Sequence, residues 1–408
     1  MKKVLISSFD MEVGGVERSL ISMLSNFDYT SYDVNLMLYS HTGEFMDQIP
    51  GKSNLLHESP VYKTFRLSIK DVLKSGRLPL GAVRLYAKYK ANKGVSLENG
   101  YKQMQYMWKY SLPFLPAHKG KYDAAISYLW PHYFVAEKVE ADVKIAWIHT
   151  DYSTVETDIE TDLEMWNKFH YIIAVSDQCR KAFIQKYPTL QEKVIVIENI
   201  TSPDLVRTLA EENTENEISQ DKRFALVTVA RLSHAKGIDN AVKALKLLHD
   251  RGYSNLAWYI VGYGGDEDKI RNLIRETNLQ NSFILLGKKI NPYPYVKAAD
   301  VYVQPSRYEG KAVTVGEAQI LARPVVITNY KTSASQVNNM TDGYICDLSI
   351  EGIADGIEAL YNNENTRNTL AGNCARKDFS NSRELEKLYD LVGRNNVETK
   401  SERYCSYL

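Results

Sequence analysis

Short apolar runs alternate with longer amphipathic stretches along nearly the whole chain, and this alternation constrains the fold more than any other feature. In the first half the apolar runs are 4–9, 34–39, 124–128, 144–148, 171–175 and 194–197. In the second half they are 224–229, 257–261, 283–286, 301–304, 324–328 and 344–346. The first amphipathic stretch, 15–27, has apolar residues at helical spacing. Strands that alternate with helices predict an α/β protein with parallel sheets.

A polar, acidic segment at 208–221 interrupts this alternation and is predicted to be the interdomain linker or its flank. The 408 residues are many for one core and suit two domains of about 200 residues each. We expect two Rossmann-like domains, at 1–205 and 206–385. Residues 386–408 are expected to be a C-terminal helix and a tail that could cross back to the first domain. A ligand should bind in the cleft at the carboxyl ends of both sheets.

Three sequence features predict a cytoplasmic location. The chain contains no apolar run of about 18 residues, so no membrane span is expected. The N-terminal apolar run is short and is predicted to be a buried strand rather than a signal peptide. The four cysteines lack the spacing of metal ligands or of a disulfide framework, which favours a reducing compartment.

Residues 61–122 are strongly basic, although the formal charge of the whole chain is zero. The segment holds 13 lysines and arginines against Asp71 and Glu98, a net charge of +11, and is rich in aromatic residues. We expect a helical insertion in the first domain that docks on an anionic membrane surface, the inner face of the cytoplasmic membrane. One alternative is a solvated basic face whose aromatic residues lie in the core. A second, nucleic-acid binding, has no supporting motif, so no nucleic-acid partner is expected.

Glu309 and Glu317 lie eight positions apart in the segment between two apolar runs. The Glu-Gly pair at 309–310 is typical of a loop after a strand, whereas 312–321 has helical composition. The first N–H groups of that helix can hold an anion near both carboxylates. Two carboxylates beside an anion site suit a ligand with hydroxyls and phosphates, such as a nucleotide sugar.

Two motifs of the first half follow apolar runs. Gly14 and Gly15 let backbone N–H groups approach a phosphate or a sugar closely, at the start of a predicted helix. His149 directly follows the run at 144–148. The alternatives without a function are that Gly14 and Gly15 only form a tight turn and that His149 has only a structural role.

Two motifs of the second half occupy similar positions. Arg231 and Lys236 lie five residues apart across a turn, so their charges can converge on one diphosphate. Gly262 and Gly264 follow a strand but lack the full dinucleotide-binding fingerprint. The acidic residues at 266–268 open a predicted helix, where they suit the helix dipole better than a metal ion.

These motifs, in this order, resemble the retaining glycosyltransferases of the GT-B fold, specifically glycosyltransferase family 4 (glycosyl transferases group 1). The resemblance spans essentially the whole chain and implies two Rossmann-like parallel-sheet domains facing each other across a cleft. It implies a hexosyltransferase that moves a hexose or N-acetylhexosamine from a nucleotide sugar, expected to be a UDP-sugar. The implied acceptor is a saccharide or lipid-linked molecule at the cytoplasmic membrane face, in the synthesis of capsule, another cell-surface polysaccharide or a glycolipid.

The resemblance also implies a role for each motif. Arg231, Lys236 and the start of the helix would hold the donor diphosphate, Glu317 the ribose, and Glu309 with His149 the donor sugar. The implied catalytic residues are Glu309, His149, Arg231 and Lys236. The implied donor-binding residues are Gly14, Gly15, Arg231, Lys236, Gly262, Gly264, Glu309, Gly310, Lys311, Ala312, Val313, Thr314 and Glu317. No metal ion or other cofactor is expected.

One residue departs from the family pattern, and two other functions stay open. Lys311 stands where the family commonly has an apolar residue; it could contact the phosphates, an anionic acceptor or only solvent. A non-catalytic GT-B module for binding or scaffolding is one alternative function, although the intact motifs argue against it. A nucleotide-sugar epimerase, which shares the fold, is the other.

Overall fold

The computed structural model describes residues 1–92 and 100–393, which form two α/β domains. The strands of the first are β1 (Lys2–Ser8), β2 (Tyr32–Leu38), β3 (Asn54–Leu55), β4 (Lys121–Ser127), β5 (Glu140–Ile148), β6 (Tyr171–Ala174) and β7 (Val194–Val196). They form one sheet in the order β3-β2-β1-β4-β5-β6-β7. Every pairing in it is parallel.

The second domain repeats this plan. Its strands are β8 (Phe224–Val229), β9 (Leu256–Val261), β10 (Phe283–Gly287), β11 (Val301–Gln304), β12 (Val325–Thr328) and β13 (Tyr344–Cys346). Their order is β10-β9-β8-β11-β12-β13, again with parallel pairing throughout. In both sheets the order reverses beside the first strand, which places a crevice at the carboxyl ends of the strands there. The predicted pair of Rossmann-like parallel-sheet domains is confirmed.

Helices connect the strands and cover both faces of each sheet. In the first domain they are α1 (Gly15–Ser25), α2 (Ile69–Lys74), α3 (Leu78–Ala91), α4 (Gly100–Ser111), α5 (Tyr133–Lys138), α6 (Ile159–Trp166) and α7 (Asp177–Lys186). Those that follow are α8 (Pro203–Leu209), α9 (Ile238–Asp250), α10 (Glu267–Glu276), α11 (Tyr293–Ala298), α12 (Val313–Ile320), α13 (Ile350–Asn362), α14 (Glu364–Arg376) and α15 (Glu384–Gly393). No helix in these two described ranges is both long and apolar enough to cross a bilayer.

The apolar runs of the sequence became strands because they are buried on both faces. The central strands β1, β8 and β11 contribute Val4, Leu226 and Val303 among other residues that are at most 1% exposed. Each helix has one apolar face that is buried; in α9 this face includes Leu245 and Leu248. Packing of such stripes against both sheet faces gives each domain its own core.

The polar segment at 208–221 is packed rather than extended. Ala210 and Ile218 are buried against the core of the second domain, in the same cluster as Val206 of α8. The connection between the domains therefore lies before this segment, between β7 and α8. Of the two predictions for 208–221, the segment is thus the flank of the linker rather than the linker itself, since acidic composition says nothing about the few apolar residues that become buried.

The C-terminal helix α15 returns to the first domain. Leu385, Leu388 and Leu391 are buried in the first domain's core. The ring of Tyr389 stacks on Tyr32 with centroids 4.8 Å apart, and its hydroxyl accepts a hydrogen bond from the backbone N–H of Asp28. The predicted tail beyond Gly393 lies outside the described residues.

The basic segment 61–122 is helical but largely built into the first domain. Trp108 of α4 is fully buried, with the Phe65 ring stacked on it at 3.8 Å. Arg84 is buried and donates to the backbone carbonyls of Thr64 and Leu67. Several other cations form ion pairs with acidic residues of the same domain: Lys63, Arg66, Lys102, Lys109 and Lys121. Five of the twelve lysines and arginines that the structure describes in this segment are thus paired with carboxylates; Lys93 and Glu98 lie outside the described residues.

Candidate active site

A cavity of about 610 Å³ lies between the two domains at the carboxyl ends of both sheets. Its walls come from the loops after β1, β4 and β5 on one side and after β8, β9 and β11 on the other. All the residues expected at the donor site line it except Gly264: Gly14, Gly15, His149, Arg231, Lys236, Gly262, Glu309, Gly310, Lys311, Ala312, Val313, Thr314 and Glu317. Their functional roles stay predictions.

Glu309 is the centre of a buried polar cluster after β11. Both of its carboxylate oxygens lie 2.6 Å from Lys236 Nζ. Ser306 Oγ donates to Oε1 at 2.6 Å and Gln304 Nε2 donates to the same oxygen at 3.2 Å. Since every partner is a donor, the cluster holds the carboxylate in one orientation.

The tight turn after β8 brings Lys236 to Glu309. Gly237 has φ of +64°, a conformation that favours glycine, and a Cβ there would overlap the carbonyl oxygen of Pro305. The loops after β8 and β11 are therefore in direct contact. Arg231, from the same loop, is exposed to the cavity, and in the described part of the chain its side chain has no hydrogen bond or ion pair. Lys236 is thus a paired cation and Arg231 an unpaired one on the same wall.

The start of α12 is open toward the same cavity. Its N-cap residue is Ala312, which has no side chain that could accept from the first N–H groups of the helix. Val313 and Thr314 also line the cavity. An uncapped helix start beside two cations is a favourable place for a diphosphate.

His149 lies on the opposite wall, after β5. Its ring is 4.7 Å from the Tyr128 ring, and its Nε2 has no hydrogen-bond partner among the described residues. Burial lowers the pKa of His149 to about 3, so the imidazole is neutral at physiological pH. Gly310 packs on the backbone here, because a Cβ at Gly310 would lie 2.5 Å from the carbonyl oxygen of His149. The absence of that Cβ allows the loops that carry His149 and Glu309 to touch.

Gly262 and Gly264, after β9, pack against the loop after β8. A Cβ at either glycine would overlap backbone atoms, those of Ala230 for Gly262 and those of Leu232 for Gly264. Gly262 lines the cavity, whereas Gly264 supports the wall from behind. For Gly264 the structure thus shows a packing contact rather than a place at the donor.

Glu317, on α12, faces the first domain. Tyr293 OH donates to its Oε1 at 2.8 Å, and Arg18 Nη1 lies 3.3 Å from Oε1 and 3.2 Å from Oε2. Lys311, the departure from the family pattern, pairs with Glu198 at 2.6 Å. Its partner is therefore a carboxylate of the segment that connects the domains.

Among the cavity residues that were not singled out from the sequence are Glu17 and Arg18, in the first turn of α1. Burial, with a smaller contribution from the charge of Asp10, raises the pKa of Glu17 to about 7. A signal for both residues was available in the sequence. They are charged and directly follow the glycine loop, at the start of a helix that begins at the carboxyl end of a strand. Arg66, Tyr101 and Trp130 extend the cavity further into the first domain.

No cluster of three or more potential metal-ligating side chains occurs in residues 1–92 and 100–393. The acidic residues at 266–268 lie where α10 begins, and Glu267 pairs with Arg271 at 2.7 Å. That the reaction needs no metal stays a prediction.

Residues 210–377 match the family described as glycosyl transferases group 1, so the resemblance seen in the motifs is confirmed at that level. A capsular polysaccharide biosynthesis glycosyltransferase, CapM of Staphylococcus aureus, is 27% identical over 234 residues, 54% of this chain and 61% of that protein. A UDP-Gal:alpha-D-GlcNAc-diphosphoundecaprenol alpha-1,3-galactosyltransferase of Escherichia coli is 27% identical over 175 residues, 41% of this chain and 45% of that protein. The chain spans about half the length of the curated relatives it matches.

The whole architecture has a counterpart among solved structures. The structure of HepE from Anabaena in complex with UDP and glucose superposes with a TM-score of 0.70 at 16% sequence identity. The match covers 96% of this chain and 100% of that one. At this level of identity the likeness shows the fold, which is GT-B.

Proposed function

We propose that this chain, which carries a group 1 glycosyltransferase domain over residues 210–377, transfers a sugar from a nucleotide sugar to a saccharide or lipid-linked acceptor. The donor is a UDP-sugar that carries a hexose or an N-acetylhexosamine, and the anomeric configuration is retained. The product belongs to a cell-surface polysaccharide or a glycolipid. The chain works in the cytoplasm, peripherally on the inner face of the membrane.

The observation that carries this proposal is the group of charges at the open start of α12. Lys236, Arg231 and the N–H groups that Ala312 leaves uncapped face one cavity. This arrangement suits a diphosphate, with Lys236 as a point charge and Arg231 as a forked donor. When the glycosidic bond breaks, the leaving phosphate takes the electron pair, and the same groups stabilise the added negative charge.

The opposite charge of the transition state develops on the donor sugar. Glu309, held in place by its hydrogen-bond donors, stabilises the positive charge that grows near the anomeric carbon. His149 is neutral and can bond a sugar hydroxyl without adding a repelling charge. As the acceptor oxygen bonds to the anomeric carbon, its proton passes to the leaving phosphate, so no other base is required. Attack from the side of the leaving group retains the configuration.

Similar proteins support the choice of donor and acceptor. One relative is named for a UDP-sugar donor and a diphosphoundecaprenol-linked acceptor, another for capsular polysaccharide biosynthesis. The similar fold of HepE holds UDP and glucose. A lipid-linked acceptor also suits the exposed apolar surface of α3, where Leu78, Leu85 and Tyr89 are 63%, 54% and 60% exposed.

The test is a binding and hydrolysis screen against UDP-, GDP-, ADP- and CMP-sugars. We expect UDP-sugars to raise the melting temperature and to be slowly hydrolysed to UDP. Both effects should be lost in Lys236→Ala and Glu317→Ala. Lys246→Ala is the matched control, because Lys246 lies on the same domain in an exposed pair with Asp250, away from the cavity.

Three outcomes would contradict the proposal in different ways. Stabilisation by a different nucleotide sugar would correct the donor. The absence of any response would favour the non-catalytic GT-B module. Conversion of the donor sugar to its epimer, seen by NMR of the recovered nucleotide sugar, would favour the epimerase.

A further inference from the structure

Arg18 crosses the cleft between the domains. It belongs to α1 of the first domain, yet its Nη1 lies 3.2 Å from Oε2 and 3.3 Å from Oε1 of Glu317 on α12. The two side chains are 12% and 5% exposed. The carboxylate expected to bind the ribose therefore receives a charged partner from the first domain, across the cleft from the residues expected to hold the diphosphate.

Aromatic rings from both domains hold the guanidinium in place. Its central carbon lies 5.4 Å from the ring of Phe45, in the first domain, and 5.0 Å from the ring of Tyr293, in the second. Burial by itself lowers the pKa of Arg18, but the charge of Glu317 raises it above its usual value. Arg18 and Glu317 are thus a charged pair held in one geometry.

The pair leaves room for a ligand on Glu317. An ionised carboxylate can accept about four hydrogen bonds. Arg18 and Tyr293 supply three, two from Nη1 and one from the tyrosine hydroxyl. Glu317 lines the cavity, so its remaining acceptor capacity can face a hydroxyl group there.

We infer that Arg18 is a positioning residue for ribose recognition: it holds the Glu317 carboxylate in the orientation that accepts ribose hydroxyls, so that full nucleotide affinity requires both domains to be together. This inference rests on the proposed function, in which Glu317 binds the ribose. It adds that the nucleotide site is shared between the two domains.

A shared site makes discrimination between ribose and 2′-deoxyribose depend on Arg18. With Glu317 fixed, loss of the 2′-hydroxyl leaves a buried acceptor partly unsatisfied. Without Arg18, the Glu317 side chain is free to turn away, and the 2′-hydroxyl then contributes less to binding. A purely structural role of Arg18 would weaken UDP and dUDP binding by the same factor.

The experiment measures UDP and dUDP binding by calorimetry for the full chain and for Arg18→Gln, Arg18→Lys and Glu44→Gln. We expect the unaltered chain to prefer UDP by about tenfold, the effect of one well-placed hydrogen bond. Arg18→Gln should bring the ratio of the two affinities close to one, and Arg18→Lys should give an intermediate ratio. Glu44→Gln should leave the ratio unchanged; it removes a different ion pair between the domains, Glu44 with Lys288. Glu44 itself does not line the cavity, and Lys288, which does, keeps its pair with Glu12.

The outcomes separate this inference from the proposed function. An unchanged affinity ratio in folded Arg18→Gln, with UDP still bound, overturns the inference alone. Failure of the unaltered chain to bind any nucleotide overturns both. If Arg18→Gln does not fold, Tyr293→Phe tests the same point, because it removes another hydrogen bond to Glu317 and should also lower the ratio; an unchanged ratio there overturns the inference.

Discussion

At the scale of single residues, Glu309 combines complete hydrogen bonding with a position on the cavity wall. Four donor contacts, from Lys236, Ser306 and Gln304, meet at its two oxygens. A carboxylate with only a structural role gains nothing from facing a cavity. In the proposed reaction its charge lies beside the anomeric carbon, where it lowers the energy of the transition state more than that of the bound donor.

Glu309→Gln is therefore expected to affect turnover rather than binding. Loss of the charge should lower kcat by about 100-fold, while the dissociation constant for UDP changes by less than about threefold. Initial rates and calorimetry on the same preparation give the two numbers. Glu358→Gln, which changes a partly buried carboxylate that pairs with Arg251 away from the cavity, is the control and should alter neither. A parallel loss of UDP affinity and kcat would instead place Glu309 at the nucleotide.

Glu17 should make the stability of the protein depend on pH. Its pKa is raised to about 7, mainly by burial and also by Asp10, while Arg231 and Arg66 act in the opposite direction. The folded state binds this proton more tightly than the unfolded state. The stabilisation is complete below the unfolded pKa and is lost as the pH rises through about 7.

The measurement is the free energy of unfolding at pH 5 and pH 8. The unaltered chain should lose free energy of unfolding between pH 5 and pH 8, and the Glu17→Gln substitution should reduce this loss by roughly 2 kcal/mol. Glu192→Gln, at an exposed site, should leave the loss unchanged. Equal losses in the unaltered chain and in Glu17→Gln would show that Glu17 does not hold this proton.

At the scale of elements, the site is formed where loops meet without side chains between them. Gly310 illustrates this, since Gly310→Ala would place a Cβ 2.5 Å from the carbonyl oxygen of His149. The loops that carry Glu309 and His149 would have to separate, at a cost of about 1–3 kcal/mol. We expect the rate of transfer to fall at least about tenfold, because small displacements of reacting groups are costly.

The control for that substitution lies on the neighbouring helix. Gly316, in the middle of α12, has open space where a Cβ would be added. Gly316→Ala should leave activity unchanged and raise the free energy of unfolding by about 0.5–1 kcal/mol. Full activity in Gly310→Ala would show that the close contact of the two loops is not required.

The same scale shows what the sequence can and cannot predict. Strands β8, β11 and β12 coincide with apolar runs because buried inner strands need apolar residues on both faces. The two-residue strand β3 at the sheet edge has no such signature and was missed. The contact between Arg18 and Glu317 joins residues 299 positions apart, so no local pattern contains it.

At the scale of the whole molecule, the fold restricts which part of the basic segment 61–122 can contact a membrane. Five of its described cations pair with carboxylates of the first domain, and Trp108 and Tyr106 are core residues. What remains for a membrane is a narrower surface on α2 and α3. The α3 surface comprises Leu78, Leu85 and Tyr89, which lie along one face of the helix because they are seven and four residues apart.

This surface leads to a sharper expectation for membrane binding than net charge does. Lys74 and Lys88 are exposed beside the apolar stripe and can meet anionic lipid, while Leu78 and Leu85 can enter the interface. The full chain should therefore sediment with vesicles that contain phosphatidylglycerol and be released by high salt. Leu85→Glu should weaken this binding at least about fivefold, since it removes apolar area and adds a repelling charge.

The control must change the charge of the segment without touching this surface. Lys109→Glu does so, because Lys109 lies on α4 in an ion pair with Glu164. If net charge governed binding, Lys109→Glu would weaken it more than Leu85→Glu, as it changes the charge by two units instead of one. If α3 is the docking surface, only Leu85→Glu should release the protein, and its activity on a water-soluble acceptor should be unchanged. Binding to neutral vesicles that is as strong as binding to anionic ones, and insensitive to salt, would rule out docking through this face. The proposal of a lipid-linked acceptor would then lose the support of the α3 surface.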